Sequence, residues 1–110
     1  MFANIIVDIS HEKLDHPFGY IIPKELEDKI SVGTAVMIPF GRGNRLISGY
    51  VIEITDTPGF DVSKMKPIHS VVENATSVEG ELIKLAWWIK ENYGSTMNQA
   101  LKTVIPVIYL

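Results

Sequence analysis

Arg42 and Arg45 stand within the six-residue run Phe40-Gly41-Arg42-Gly43-Asn44-Arg45, which holds no acid although the whole chain has a formal net charge of -3. A guanidinium fork suits phosphate oxygens, and glycines at 41 and 43 let a backbone take positive φ or approach a bulky partner. The chemistry open to such a tip is anion capture. The same residues also make an ordinary solvated hairpin tip, with glycines to turn and arginines to keep it in water, and turn chemistry alone accounts for them.

A second constellation is Phe18-Gly19-Tyr20, two rings at alternate positions of a β-rich segment. Alternate strand residues share a face, so the pair either packs a sheet or offers a stacking surface. Trp87 and Trp88 point about 100° apart on a helix, so one can enter the core while the other meets an interface or solvent. Packing beside Leu85 and Ile89 is favoured over base stacking for this pair.

Catalytic signatures fail on spacing. His11-Glu12 and His16 resemble a zinc-protease pair, but the histidines are not at i and i+4, and Pro17 follows at once. Gly41-x-Gly43 lacks the third glycine of a dinucleotide fingerprint, and no GK[ST] phosphate loop occurs. No serine sits in a nucleophile elbow, and His69 has no nucleophile beside it. The expectation is a non-catalytic module without a metal or cofactor of its own.

The elements that must position these residues come next. At 110 residues and 46% hydrophobic, the chain is expected to form one domain, residues 1–110, around one compact core. An excess of acids, 13 against 10 basic residues, argues against non-specific coating of nucleic acid, so any DNA contact must be focused. There is no cysteine, which excludes disulfides and thiolate metal sites. No stretch reaches the roughly 18 apolar residues of a membrane helix, and neither a leader nor a lipidation signal is visible. A cytoplasmic protein with no membrane contact is expected, which makes the sequon Asn74-Ala75-Thr76 accidental.

Strands are expected over 2–9, 18–22, 34–39, 46–55 and 65–73, the last with Pro67 at an edge or bulge. Lys24 to Lys29 reads as a turn or one loose helical turn, and the third and fourth strands form a hairpin whose tip carries the arginines. On the fourth strand, alternation puts Ile47 and Val51 on one face and Tyr50, Ile52 and Ile54 on the other. The period then changes. Thr76-x-x-Glu79 is a capping box, Leu82, Leu85, Ala86, Ile89 and Tyr93 follow along one helical face, and Gly94 supplies the stop. Thr96-x-x-Gln99 caps a second, short helix expected to run through Lys102 and end ahead of Pro106. The fold class is α+β, a small five-stranded curled sheet or open barrel with two C-terminal helices.

With that order in place, "FGYIIP" (18–23), "VGTAVMIPFGRGNRLISGYVIEI" (32–54), "MKPIHSVVE" (65–73) and "LAWWIKENYGSTMNQALKTVIP" (85–106) together resemble the N-terminal domain of the primosomal protein N′ family of replication-restart helicases. The resemblance runs nearly end to end. It implies a permuted oligonucleotide-binding barrel that captures the 3′ end of the nascent leading strand at a stalled fork. It also implies that ATP and zinc belong to domains of the longer family protein, outside this chain. The partners it implies are DNA, the other domains of the helicase, and primosome and single-strand-binding proteins, in a nucleoid-associated setting. Carried over by matching positions, the pocket residues are Phe18, Gly19, Tyr20, Gly41 and Lys66; Arg42 and Arg45 would flank it and hold adjacent phosphates.

One position departs from the family pattern. Where family members place an aspartate between the two aromatics, to accept a hydrogen bond from the free 3′-hydroxyl, this chain has Gly19. End selectivity then falls to sterics, to another group such as Asp15, or is weaker. The competing class is a small barrel for protein–protein contact, its aromatics receiving a peptide or a domain face.

Overall fold

The computed structural model describes residues 1–7, 16–58, 61–72 and 77–109, of which 105–109 are described through the backbone alone. His11, Glu12, Asp15, Gly59 and Thr76 lie outside the described residues, as does the 74–76 sequon. Strands β1 (Phe2–Ile6), β2 (Phe18–Ile21), β3 (Ala35–Phe40), β4 (Arg45–Thr55), β5 (Lys66–Pro67) and β6 (Ser70–Val71) precede helices α1 (Val78–Tyr93) and α2 (Met97–Tyr109). Short 3₁₀ turns occupy Lys24–Leu26 and Val62–Lys64. The sheet runs β5-β2-β1-β4-β3-β6, antiparallel throughout except for β2 with β5.

Six strands replace the expected five because the segment after Met65 changes partner. Lys66 and Pro67 pair with Tyr20 and Ile21 on one sheet edge, whereas Ser70 and Val71 pair with Met37 and Val36 on the other. Pro67 has no N–H to extend a ladder. Directly after it, consecutive amides donate to opposite edges, Ile68 to the Ile21 carbonyl (3.0 Å) and His69 to the Met37 carbonyl (2.9 Å). One short segment thereby draws the edges together and curls the sheet into a half-barrel.

Two cores share this sheet. Ala3, Ile5, Tyr20, Val36, Ile38, Val51 and Ile68 fill the inside of the curl, and Ile6 and Ile52 face outward to meet Leu82, Ile83, Ala86, Met97 and Leu101 of the helices. A bulge corrects the expected faces of β4. Asn4 pairs with Glu53 but Ile5 pairs with Val51, so β4 carries one extra residue at Ile52. The alternation shifts by one, and Ile54 packs inside with Ile47 and Val51 rather than outside with Tyr50 and Ile52.

The helices also differ from expectation in detail. Ser77 caps α1, its Oγ accepting from the Gly80 amide (3.0 Å), and Gly94 ends the helix at φ 70° with its amide on the Lys90 carbonyl (3.0 Å). The buried stripe is Leu82, Ile83 and Ala86; Leu85 is 47% exposed, and Tyr93, the last residue of the helix, is 74% exposed. Leu85 points about 100° away from the centre of that stripe, which is why it falls outside. Trp87 is half-buried against the helix core with the Lys90 ammonium 4.1 Å from its ring centroid, and Trp88 is exposed. Thr96 and Gln99 cap α2 reciprocally, at 3.0 and 3.1 Å. Helix α2 runs through Pro106 to Tyr109 instead of ending ahead of the proline, although a proline removes one amide donor and crowds the carbonyl four residues before it. Among the described residues no helix is long and apolar enough to cross a membrane.

Candidate nucleic-acid interface

A cleft of about 490 Å³ opens between the start of β2, the end of β3 and the run leading into β5. Phe18 begins β2 and is 38% exposed. Its ring meets that of Phe40, the last residue of β3, edge to face with centroids 4.9 Å apart. These strands are not neighbours in the sheet; the curl brings their ends together.

Tyr20 leaves β2 on the same side as Phe18 but is sunk into the barrel core, 5% exposed, its hydroxyl donating to the Pro39 carbonyl at 2.7 Å. Burial pushes that phenol above its ordinary pKa, so it stays protonated as a donor at neutral pH. The bond ties β2 to the end of β3 across the cleft floor.

Gly41 opens the tip turn at φ 74°, a conformation that favours glycine, and a Cβ there would meet nothing within 4 Å. Its carbonyl accepts from the Lys66 Nζ at 2.8 Å. Lys66 is aligned with Tyr20 by the parallel pairing of β5, which aims its long side chain across the cleft mouth at the tip. The ammonium makes no ion pair among the described residues, so two of its three donors remain for a ligand.

Phe18, Gly19, Tyr20, Gly41 and Lys66 therefore line one cleft. Arg42 and Arg45 do not line it. Arg42 is exposed in the tip turn, which the Asn44 amide closes on the Gly41 carbonyl (3.2 Å), and Arg45 is exposed at the start of β4 opposite Phe40. Both sit beside the cleft on the element that bears Gly41.

The lining also contains residues that sequence reasoning passed over: Phe40, Asp61, Lys64 and Met65. Asp61 caps the turn at Val62–Lys64, accepting from the Ser63 amide (3.0 Å) and the Ser63 hydroxyl (2.8 Å). Those two bonds hold its carboxyl below the usual pKa, so it is ionised at neutral pH. The Asp-x-Ser pattern was a readable cap signal; its position against β2 depends on the curl and was not. Among the described residues no three His, Cys, Asp or Glu side chains gather as a metal site.

Comparison with known proteins gives this cleft a context. Residues 4–106 match the model of a 3′DNA-binding domain (3′BD). The Replication restart protein PriA of Bacillus subtilis (strain 168) is 30% identical over 105 residues, covering 96% of this chain and 13% of that protein. The protein of the same name from Chlamydia muridarum (strain MoPn / Nigg) is 26% identical over 112 residues, 99% of this chain and 14% of that protein. The chain thus spans only about 13 to 14% of the length of these relatives.

Proposed function

Because the chain belongs to the 3′DNA-binding domain family found in replication restart proteins, we propose that its cleft receives the 3′ terminus of a DNA strand. The observation that carries this reading is the joint placement of the half-exposed Phe18 ring, the open Gly41 backbone and the Lys66 ammonium around one cavity of about 490 Å³. Phe18, backed by Phe40, offers a face for the last base. Gly41 admits the sugar close to the backbone, and Lys66 pairs with the adjoining phosphodiester. Arg42 and Arg45, beside the cleft, hold phosphates further along the strand.

In the longer protein such a module would hold the end of the nascent leading strand at a stalled fork and orient a helicase there. The chain itself contributes binding and no catalysis; ATP and zinc would belong to other domains.

Single strands ending in a 3′-hydroxyl, a 3′-phosphate or a blocked terminus test the reading. Preference among the ends is expected, and Phe18→Ala should cost about 1–3 kcal/mol of binding, the worth of one base–aromatic stack. Equal affinity for all three, unmoved by Phe18→Ala, overturns it. In the protein-contact alternative the same aromatics, among them the half-exposed Phe18 ring, receive a peptide or a domain face instead. Salt separates the two readings, because phosphate binding weakens steeply as salt rises and apolar contact hardly responds.

A further inference from the structure

We propose that Asp61 makes the cleft select a strand ending in a free 3′-hydroxyl over one ending in a 3′-phosphate, by accepting the hydroxyl's hydrogen bond and repelling the phosphate. This rests on the cleft being the strand-end site proposed above. Recognising a hydroxyl terminus takes an acceptor, and the neighbouring candidates cannot serve. Among the side chains, Gly19 has none, the Tyr20 hydroxyl is sunk in the barrel core beside the Pro39 carbonyl, out of a ligand's reach, and Lys64 and Lys66 offer only donors. Asp61 is the one carboxylate among the described residues lining the cleft.

Its geometry suits the task. Both Ser63 bonds end on Oδ1, which fixes the carboxylate and leaves Oδ2 to accept. The turn that Asp61 caps runs through Lys64 and Met65 into Lys66, so the acceptor and the phosphodiester-pairing cation are set by one short segment. A terminal phosphate, with nearly two negative charges at neutral pH, meets a fixed negative charge where a hydroxyl meets a partner.

Asp61→Asn tests this, because an amide oxygen can still accept from Ser63 while the charge is gone. Anisotropy titrations at constant salt would compare hydroxyl-ended and phosphate-ended single strands. The protein is expected to favour the hydroxyl end by about tenfold, the scale of one charge-assisted hydrogen bond. In Asp61→Asn that ratio should collapse, with phosphate-ended strands binding more tightly than before and Phe18→Ala still weakening both. An Asp61→Asn protein that discriminates as well as the original, or that loses both ends equally, overturns the role of Asp61 and leaves the strand-end reading standing. If the original protein binds hydroxyl and phosphate ends equally but rejects a blocked end, this inference alone fails; if a blocked end also binds as well and Phe18→Ala changes nothing, the strand-end reading fails with it.

Discussion

Phe18 and Tyr20 leave β2 on the same face, yet one is 38% exposed and the other 5%. Strand alternation made their shared face legible in the sequence, but not their depth, which depends on how far the sheet curls over each position. Their predicted consequences therefore differ. Tyr20→Phe keeps the ring and strands the Pro39 carbonyl, so it should lower stability by about 1 kcal/mol, read as a shift in urea midpoint at unchanged slope. Phe18→Ala acts mainly on DNA binding, since its ring already meets solvent. Lys66→Gln removes the cation but keeps a donor for Gly41. If Lys66 pairs with a phosphate, the slope of log affinity against log salt should fall by about one in magnitude for every strand sequence; an unchanged slope would remove Lys66 from the binding face.

At the scale of elements, α1 is seated against the barrel by a backbone contact between two glycines. A Cβ on Gly80 would come within 2.9 Å of the Gly33 carbonyl oxygen, and Gly33 itself sits at φ 95°. Two effects oppose each other in Gly80→Ala. Helix propensity gains about 1 kcal/mol, while forcing a methyl against backbone costs about 1–3 kcal/mol. The clash should win, because a carbonyl in a tight turn cannot rotate away as a side chain would. A lowered urea midpoint checks this; a raised one would mean that the helix shifts freely. Elements with local signals were readable from sequence, among them the Thr96/Gln99 cap, the Gly94 stop and the hairpin bearing the arginines. Features set by distant partners were not. The bulge at Ile52 exists only in the pairing of β4 with β1, so it inverted the assignment of Ile54. The split of 65–73 into two strands follows from a choice of partners on opposite edges, of which Pro67 was the single local trace.

At the scale of the molecule, the sheet is the common wall of two cores, and residues adjacent in sequence serve opposite sides of it. Ile5 and Val51 pack inside the half-barrel, and Ile6 and Ile52 pack against the helices. The cleft lies at the rim of the half-barrel, whereas Leu101, fully buried, lies in the helix layer. Leu101→Ala should then destabilise the protein by about 2–5 kcal/mol through the cavity it leaves, without altering affinity for DNA while the protein remains folded. Because β1 and β4 contribute to both cores, loss of the helix layer exposes the back of the strands that support Phe18, and the two layers should unfold together. Tryptophan fluorescence, reporting on Trp87 in the helix core, and far-ultraviolet dichroism, reporting on the whole backbone, should trace one coincident urea transition in both the original and Leu101→Ala. A fluorescence change that precedes the dichroism change would show that the half-barrel stands without its helices. The helical layer would then be a separable cover, and the rim cleft would owe its shape to the strands alone.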